Sequence, residues 1–423
     1  MQATRSVWQN LQRTSTPAPE LERAGTALSA LVTQLVHNRG ITAPTLDEFL
    51  TPNRGPTYDP FLLTGMDVAV TRILQARAVG ELVAVYGDSD VDGIAAAALL
   101  VEALTAAGIR AIPYIPNRQV EAAGTQRDVL NYLQARGASL IITVDCGISS
   151  AEEIEAAKLA GLDVIVTDHH APPANLPSAV SIIDPLQSNC SYPCKHLAGV
   201  GVAYKLAQAL YRRAGLRDEL ARLLLDLVAI GTIADMVPLV DENRSLVWHG
   251  LRVLNRAARP GIQSLISLAG LRCGTLSASD VCYSLCPRIN AAGRIGDGSL
   301  GYALLTAQTI DDAEALAALI EERKSERQVL IQQAYAACQQ ELCRQDARLY
   351  DRIIVVHVDP KASSAIGILA GKLAEEYGRP VIVLQPSGDE VRGCVRGTPS
   401  FAMLDALRAN SDLLMNFGGH QQA

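Results

Sequence analysis

Three acidic stretches in the first half of the chain each follow a short apolar run, and this pairing constrains the fold most. The runs and the acidic residues after them are 82–85 before Asp88, 140–143 before Asp145, and 164–166 before Asp168. Such runs are typical of buried strands. The carboxyl ends of parallel strands share one edge of a sheet, where α/β proteins bind their ligands. We therefore predict that the acidic side chains converge on one site.

Strand-like and helix-like segments alternate between Glu81 and Asp184, which predicts an α/β fold with a mostly parallel sheet and right-handed crossovers. The predicted strands are Leu82–Tyr86, Arg110–Ile115, Leu140–Val144, Val164–Thr167 and Val180–Ile183, and the helices are Gly93–Ala107, Gln126–Arg136 and Ala151–Ala160. The pattern from Leu197 to Ala307 is helical, and its clearest helices are Ala203–Ala214, Glu219–Ile233 and Ser245–Ala257. We expect this helical half to close over the carboxyl edge of the sheet.

At 423 residues the chain exceeds what one hydrophobic core usually supports, so two or more domains are expected. Residues 310–344 contain no Gly or Pro and predict one long helix that links two domains. Strand-like and helix-like segments then alternate again. The predicted divisions are an N-terminal extension (1–75), an α/β domain with its helical half (76–309), a linker helix (310–345) and a second, smaller α/β domain (346–423) that begins near Leu349.

Composition indicates a well-packed globular protein, with 49% hydrophobic and 19% charged residues. Apolar runs fall short of the roughly 20 residues that a membrane span needs. The N-terminus also lacks the apolar core of a signal peptide, so we expect a cytoplasmic protein without membrane contact. A net charge of −7 does not favour nucleic-acid binding overall, so any such binding requires a local basic groove.

Nine cysteines are scattered without a C-x-x-C pair. The nearest approach to a zinc pattern is Cys190, Cys194 and His196, together with Cys282 and Cys286. Structural zinc sites usually combine tight pairs of ligands. We therefore favour free thiols over a zinc site.

The first acidic stretch, Asp88-Ser89-Asp90-Val91-Asp92-Gly93, carries aspartates at alternate positions just after a strand. Such a run can direct several oxygens to one centre, and the glycine permits the turn into a helix. Calcium loops begin similarly, but the glutamate that they require is absent. We interpret the stretch as part of a divalent-metal site.

The other acidic positions extend this site. Asp145 ends a strongly apolar strand, and its alternative role is that of a capping or loop residue. Asp168, His169 and His170 combine oxygen and nitrogen ligands, which suits Mn²⁺ at least as well as Mg²⁺. Asp235 lies in an apolar stretch and needs a partner if it is buried, either a metal ion or a salt bridge. Five or six ligands fit two cations about 4 Å apart.

Arginines indicate an anionic ligand, because the guanidinium group matches phosphate oxygens. Candidates are Arg118 after a strand, Arg288 and Arg294 around Asn290 in an expected glycine-flanked turn, and Arg396 after a later strand. Each is individually more often a solvated surface charge. Gly418-Gly419-His420 is a further candidate phosphate loop, although a glycine-rich loop alone is a weak signal.

Together these segments resemble the DHH phosphoesterase superfamily, and within it the branch of single-stranded-DNA-specific exonucleases. The resemblance covers nearly the whole chain, at 85–94, 143–148, 166–170, 197–203, 231–235, 287–296 and 418–420. The segments 197–203 and 287–296 distinguish this branch from shorter members that cleave dinucleotides. The last segment lies in what resembles a companion DHHA1 domain.

The resemblance implies a role for each candidate residue. Two divalent cations, Mn²⁺ or Mg²⁺, would be held by Asp88, Asp90, Asp92, Asp145, His169 and Asp235. His170 would support the scissile phosphate, Asp168 would orient a histidine, and Asp145 would belong to the catalytic set. The implied substrate-binding residues are Arg118, Arg288, Asn290, Arg294, Arg396, Gly418, Gly419 and His420.

The implied reaction is stepwise hydrolysis of single-stranded DNA from its 5′ end, with release of mononucleotides, in recombination and repair. The implied partners are a helicase and a single-strand-binding protein, and we expect a monomer. Ser89, Ala122, Ala362 and the region around Cys394 depart from the family pattern at substrate-holding positions, and the chain stops three residues after His420, so the second domain is expected to be truncated. We therefore expect retained hydrolysis with altered end recognition or weaker strand retention.

Two other functions stay open at this point. The chain could act on short oligonucleotides or dinucleotides, which the altered second domain would favour. It could also be a catalytically silent scaffold that binds DNA or a replication partner. The intact acidic positions favour an enzyme, because a scaffold has no need of several mutually repelling carboxylates.

Overall fold

The computed structural model describes residues 29–117, 121, 124–294, 298–344, 352–388, 390–398, 401–415 and 417, with the backbone alone at 30, 43, 44, 293, 294, 344, 363 and 364. The chain divides into two compact units, one within Asn10–Glu321 and the other built mainly from Glu322–Ala423. Within the described ranges, no helix is long and apolar enough to cross a membrane. The predicted domain limits stay predictions, and the expected start near Leu349 lies outside the described residues.

A five-stranded, fully parallel sheet organises the first unit, which confirms the predicted fold class. Its strands are β1 (Leu82–Gly87), β2 (Arg110–Tyr114), β3 (Ala138–Val144), β4 (Asp163–Thr167) and β5 (Ser181–Ile183), in the order β2-β1-β3-β4-β5. Alternate residues of one strand enter different cores: Val83 and Val85 pack in the larger cluster, and Ala84 and Tyr86 in a smaller one. Helices therefore cover both faces, which explains why these strands are continuously apolar.

The helices of the first unit precede, connect and follow these strands. They are α1 (Ala30–Asn38), α2 (Ala43–Leu50), α3 (Met66–Val79), α4 (Val91–Ala106), α5 (Arg127–Ala135), α6 (Ala151–Leu159), α7 (Gly199–Ala214), α8 (Asp218–Arg222), α9 (Leu225–Ala234), α10 (Asp241–Leu254), α11 (Pro260–Leu268), α12 (Cys286–Arg294) and α13 (Ser299–Leu305). A π-helical turn, Val281–Leu285, leads directly into α12. The long helix α14 (Ile310–Arg344) has the predicted bounds.

Two expectations for the helical half were wrong. The predicted helix Glu219–Ile233 is broken between α8 and α9. The polar α8 lies near the surface whereas α9 is buried on nearly every side, so one straight helix would not satisfy both. The glycine-flanked turn expected between Arg288 and Arg294 is instead the helix α12.

A three-stranded sheet forms the second unit. Its strands are β6 (Ile354–His357), β7 (Val381–Ser387) and β8 (Glu390–Arg396), with β6 parallel and β8 antiparallel to β7. The helices α15 (Ile366–Tyr377) and α16 (Met403–Arg408) follow β6 and β8 in the chain. Leu369, Leu373 and Val383 belong to a separate hydrophobic core in this unit. A second, smaller α/β unit is therefore present.

Candidate metal centre

Backbone hydrogen bonds continue the parallel ladder one residue beyond three strands. They run from Asp88 N–H to Val144 O (3.3 Å), from Asp145 N–H to Thr167 O (3.1 Å) and from Asp168 N–H to Ile183 O (3.0 Å). The three aspartates are thus fixed in one row along the carboxyl edge. The structure brings together the acidic stretches that lie far apart in the sequence.

Asp145 occupies the middle of this row in an unusual backbone conformation. Its φ of 61° lies in the left-handed region, which costs a residue with a Cβ about 1 kcal/mol. The side chain is only 4% exposed. Such strain is typical of functional sites, where the surrounding structure holds one side chain in a required direction.

The start of α4 shapes the first acidic stretch. Asp90 caps this helix by accepting the N–H groups of Asp92 and Gly93 at 3.0 and 3.2 Å. Asp92 is buried, and its carboxylate accepts two N–H groups from the start of α7, Gly199 at 2.6 Å and Val200 at 3.0 Å. The positive end of the α7 dipole therefore faces Asp92 and offsets part of the local negative charge.

His169 and Asp235 complete the cluster from the sheet and the helical half. His169 Nε2 lies 3.0 Å from Asp145 Oδ1 and 3.7 Å from Asp235 Oδ2. Asp235 directly follows α9, so this helix carries its carboxylate to the sheet edge. Three overlapping groups have ligand atoms within 4.8 Å of one another, namely Asp88/Asp90/Asp145, Asp92/His169/Asp235 and Asp145/His169/His170. All six predicted metal ligands thus lie in one connected cluster.

The carboxylates of this cluster are held in surroundings that disfavour their charge. Burial, together with the negative charges of Asp235 and Asp90, raises the pKa of Asp92 well above its usual range. Burial also raises the pKa of Asp145, as do the charges of Asp92, Asp90 and Asp88. The pKa of Asp235 rises to about 7, mainly through burial and the Asp90 charge. These carboxylates therefore have too little positive charge around them to offset their own negative charge.

The contacts of Asp145 indicate what would supply that charge. Its Oδ1 is buried and accepts no hydrogen bond from the described residues, although His169 Nε2 lies 3.0 Å away. Two acceptor atoms at this distance repel each other unless a proton or a cation lies near both. Carboxylate oxygens with imidazole nitrogen form a donor set suited to Mn²⁺ and, less closely, to Mg²⁺. The residues present therefore fit divalent cations.

His170 differs from its neighbour because Asp168 holds it. Its Nδ1 lies 2.7 Å from Asp168 Oδ1. This hydrogen bond raises the pKa of His170 to about 9 despite the opposing effect of burial. Burial acts to raise the pKa of Asp168, but the hydrogen bonds from His170 and from the Ile148 N–H outweigh it and lower that pKa. A charged imidazolium is the stable form of His170 at neutral pH.

The sequence analysis missed two glycines and one carboxylate of this region. A Cβ on Gly199 would lie 2.5 Å from Asp145 Cβ, and one on Gly231 would lie 2.5 Å from Asp92 Oδ1. Both glycines stand in segments that the family resemblance includes, and a small residue at a buried helix position was the available signal. Asp184 follows β5 at the same edge, and burial raises its pKa to about 7. Its position after an apolar strand was the signal here.

The structure describes only some of the predicted substrate-binding residues, and these are divided between the two units. Arg288 Nε lies 2.8 Å from Glu321 Oε2, and its Nη1 donates to Ser284 O at 2.6 Å, so part of its hydrogen-bonding capacity is used within the protein. Asn290 lies on α12, and its Oδ1 is buried without a hydrogen-bond partner among the described residues. Arg396 ends β8 in the second unit. Arg118, Gly418, Gly419 and His420 lie outside the described residues, as does the side chain of Arg294.

The cysteines do not join a metal cluster in the described part of the chain. All nine thiols are free. Cys286 Sγ approaches Ile230 O at 3.8 Å, and Cys194 is buried in the hydrophobic core.

Comparisons with known proteins agree with this fold. Residues 82–232 match the model of the DHH family, N-terminal domain. The single-stranded-DNA-specific exonuclease RecJ of Bacillus subtilis is 40% identical over 405 residues, which cover 94% of this chain and 50% of that protein. The RecJ of Dickeya dadantii is 36% identical over 438 residues, covering 99% and 75% of the two chains.

The fold comparison gives the same result. The crystal structure of RecJ in complex with Mn²⁺ from Thermus thermophilus has a TM-score of 0.79 and 29% sequence identity, covering 96% of this chain and 56% of that one. The chain thus spans about half the length of the Bacillus subtilis and Thermus thermophilus proteins that it matches. The chain has the parallel sheet and the row of aspartates described above, and it is similar to RecJ proteins over nearly all of its length. It therefore belongs to the RecJ family of exonucleases.

Proposed function

We propose that this chain hydrolyses phosphodiester bonds in single-stranded DNA as a metal-dependent exonuclease that acts from the 5′ end and releases mononucleotides. The observation that carries the proposal is the connected cluster of five aspartates and two histidines at the carboxyl edge of the sheet. The names of the relatives, single-stranded-DNA-specific exonucleases, support the substrate class.

The metal ligands that we propose are Asp88, Asp90, Asp92, Asp145, His169 and Asp235. Two bound Mn²⁺ or Mg²⁺ ions would supply a water of lowered pKa and charge stabilisation at the phosphate. The Thermus thermophilus relative was crystallised with Mn²⁺, and a further structure of that protein was solved with Mg²⁺. The buried carboxylates of this chain, with their raised pKa values, support the same requirement here.

The structure supports a separate role for His170. Its side chain is 44% exposed, so a substrate can reach it. Because Nδ1 is engaged by Asp168, the ring would contact a phosphoryl oxygen through Nε2. A cationic ring at neutral pH stabilises negative charge that grows on the phosphate during hydrolysis. Asp168 acts through His170 and is therefore a positioning residue.

The wider setting is also a proposal. We infer that the protein works in DNA recombination and repair, as a monomer in the cytoplasm, beside a helicase and a single-strand-binding protein. We further propose the domain limits 1–75, 76–309, 310–345 and 346–423, with the second α/β domain as the DHHA1-like part. Arg288, Asn290, Arg294 and Arg396 are the proposed substrate contacts, together with Arg118 and residues 418–420.

The test compares three substrates with the purified chain and Mn²⁺: a 5′-phosphorylated single strand, the same strand in a duplex, and a dinucleotide. Mononucleotides from the single strand are expected, with little release from the duplex. Asp145→Ala should abolish release, because it removes a ligand that two of the three groups share. Asp47→Ala, an exposed carboxylate on α2, is the matched control and should keep full activity.

The outcomes separate the alternatives. Release from the dinucleotide alone would favour a phosphoesterase of short oligonucleotides. Binding of the single strand without any release would favour a silent scaffold. Unchanged activity in Asp145→Ala would show that the proposed metal centre is wrong, even if DNA is cut.

A further inference from the structure

Tyr283 is the most exposed aromatic side chain in the described ranges. Of the aromatic residues in the described ranges, Tyr132 and Tyr283 stand well into solvent, at 48% and 75% exposure. The Tyr132 ring contacts Tyr114 and the Arg136 guanidinium, which accounts for its position. No comparable ring or cation contact is present for Tyr283 among the described residues. The ring of Tyr283 is therefore open to contact with a ligand.

The segment around Tyr283 is fixed against the helix that carries Asp235. Tyr283 lies in the π-helical turn Val281–Leu285, and such turns are frequent at functional sites. Cys286 Sγ lies 3.8 Å from Ile230 O on α9, and Cys282 Sγ lies 3.7 Å from Met236 Sδ just beyond α9. These two contacts set the register of the π turn along α9, so the residue next to Tyr283 meets the residue next to Asp235.

Met236 shares the exposure of Tyr283. It is 70% exposed, and its φ of 61° is unusual for a residue with a side chain. This conformation comes directly after Asp235, whose carboxylate lies 3.7 Å from His169. A thioether and a phenol therefore stand in solvent on two segments that touch through Cys282 and Met236, and neither side chain carries a charge.

We propose that Tyr283 and Met236 form a stacking surface for a nucleobase of the single-stranded substrate. The inference rests on the proposed function. Aromatic rings and methionine sulfur bind the flat faces of bases without regard to sequence, as an exonuclease requires. The lack of charge argues against a phosphate contact, and Met236 directly follows the proposed metal ligand Asp235 in the chain.

The experiment combines side-chain removal with base removal. Binding of a thymine single strand, and of the same strand with abasic nucleotides at its 5′ end, is measured by fluorescence anisotropy in EDTA, which prevents hydrolysis. Tyr283→Ala should weaken binding of the thymine strand by about 5- to 150-fold, the range expected for one lost stacking contact. It should not weaken binding of the abasic strand. Tyr283→Phe keeps the ring and should bind both strands as the unmodified protein does.

Tyr132→Ala is the matched control, because it removes another exposed tyrosine from α5 in the same unit. It should bind both strands normally. Since stacking involves no ion pair, Tyr283→Ala should also leave the salt dependence of binding unchanged. With Mn²⁺, Tyr283→Ala should raise KM and leave kcat nearly unchanged.

Two results would overturn the inference while the proposed function stands: normal binding by Tyr283→Ala, or an equal loss of affinity for both strands. If the unmodified protein neither binds nor cuts the thymine strand, the proposed function fails and the inference fails with it. Because Tyr283 is exposed, a thermal melt of each variant is expected to match that of the unmodified protein, so a loss of binding cannot be ascribed to unfolding.

Discussion

Asp168 Oδ1 lies 2.7 Å from His170 Nδ1, and the same carboxylate also accepts the N–H groups of Ile148, His169 and His170. Four donors thus fix one carboxylate at the end of β4. Asp168 is buried, and its carboxylate is occupied by these hydrogen bonds. It therefore fixes the orientation of the His170 ring and stabilises the proton on Nδ1, and we do not assign it as a metal ligand.

Asp168→Asn is expected to lower the pKa of His170 from about 9 towards the ordinary value of about 6.5. The neutral amide removes the charge that stabilises the imidazolium. The measurement is a titration of ¹³C-labelled histidine by NMR in the metal-free protein, with Asp47→Asn as control. Activity should fall by about 10- to 100-fold, as for other residues that orient an active-site histidine. A pKa still near 9 in the variant would contradict this account.

Gly199→Ala and Gly231→Ala should each weaken Mn²⁺ binding by about 10-fold or more. The added Cβ would lie 2.5 Å from Asp145 Cβ in the first variant and 2.5 Å from Asp92 Oδ1 in the second. The helices must move, and the carboxylates move with them. Isothermal titration calorimetry with Mn²⁺ measures the change.

Gly201→Ala is the control on the same helix as Gly199. The atoms nearest to its Cβ would belong to the side chain of Leu197, at 3.3 Å or more. That variant should bind Mn²⁺ normally. Equal losses in Gly199→Ala and Gly201→Ala would point to a general effect on α7 and against a specific approach to Asp145.

Asp235→Asn is expected to stabilise the metal-free protein at pH 8 and to have little effect at pH 3.5. The folded-state pKa of about 7 exceeds the ordinary value of 3.8, so the folded protein binds this proton more tightly than the unfolded chain does. The carboxyl group therefore costs no stability below pH 4, and stability is lost as the pH rises through 7. The gain in the free energy of unfolding at pH 8 is at most about 4 kcal/mol.

Urea unfolding in EDTA at the two pH values measures this effect. Added Mn²⁺ should make the unmodified protein the more stable of the two at pH 8, because it can bind the cation with the Asp235 carboxylate, which the variant lacks. A variant that is less stable than the unmodified protein at pH 8 in EDTA would show that the Asp235 charge is already compensated without metal.

Lys205→Met should destabilise the fold by about 3–5 kcal/mol, because it leaves the buried Glu242 carboxylate without its cation. Lys205 Nζ lies 2.7 Å from Glu242 Oε1, and the two side chains are 1% and 0% exposed. Arg212→Ala, on the same helix, breaks an exposed ion pair with Asp59 and should cost about 1 kcal/mol or less. Urea unfolding compares the two, and similar losses would contradict the assigned burial.

The sequence was most informative where the interactions are local. Apolar runs with a carboxylate at their end predicted β1, β3 and β4, and the parallel order then fixed Asp88, Asp145 and Asp168 along one edge. This works because alternation along the chain and the geometry of parallel strands depend on few neighbouring residues. The family resemblance supplied the individual roles, including the separate assignments of His169 and His170.

The tertiary structure decided what depends on distant contacts. Asp92 and Gly199 are 107 positions apart, yet the start of α7 donates two hydrogen bonds to this carboxylate. No local pattern could indicate that approach, the need for glycine there, or the break between α8 and α9. The pKa shifts of Asp145 and Asp235 likewise arise from burial and from charges on other elements. Sequence alone determined which groups reach the sheet edge, whereas packing of the helical half against it decided their spacing, protonation and exposure, because those quantities are set by all the surrounding atoms.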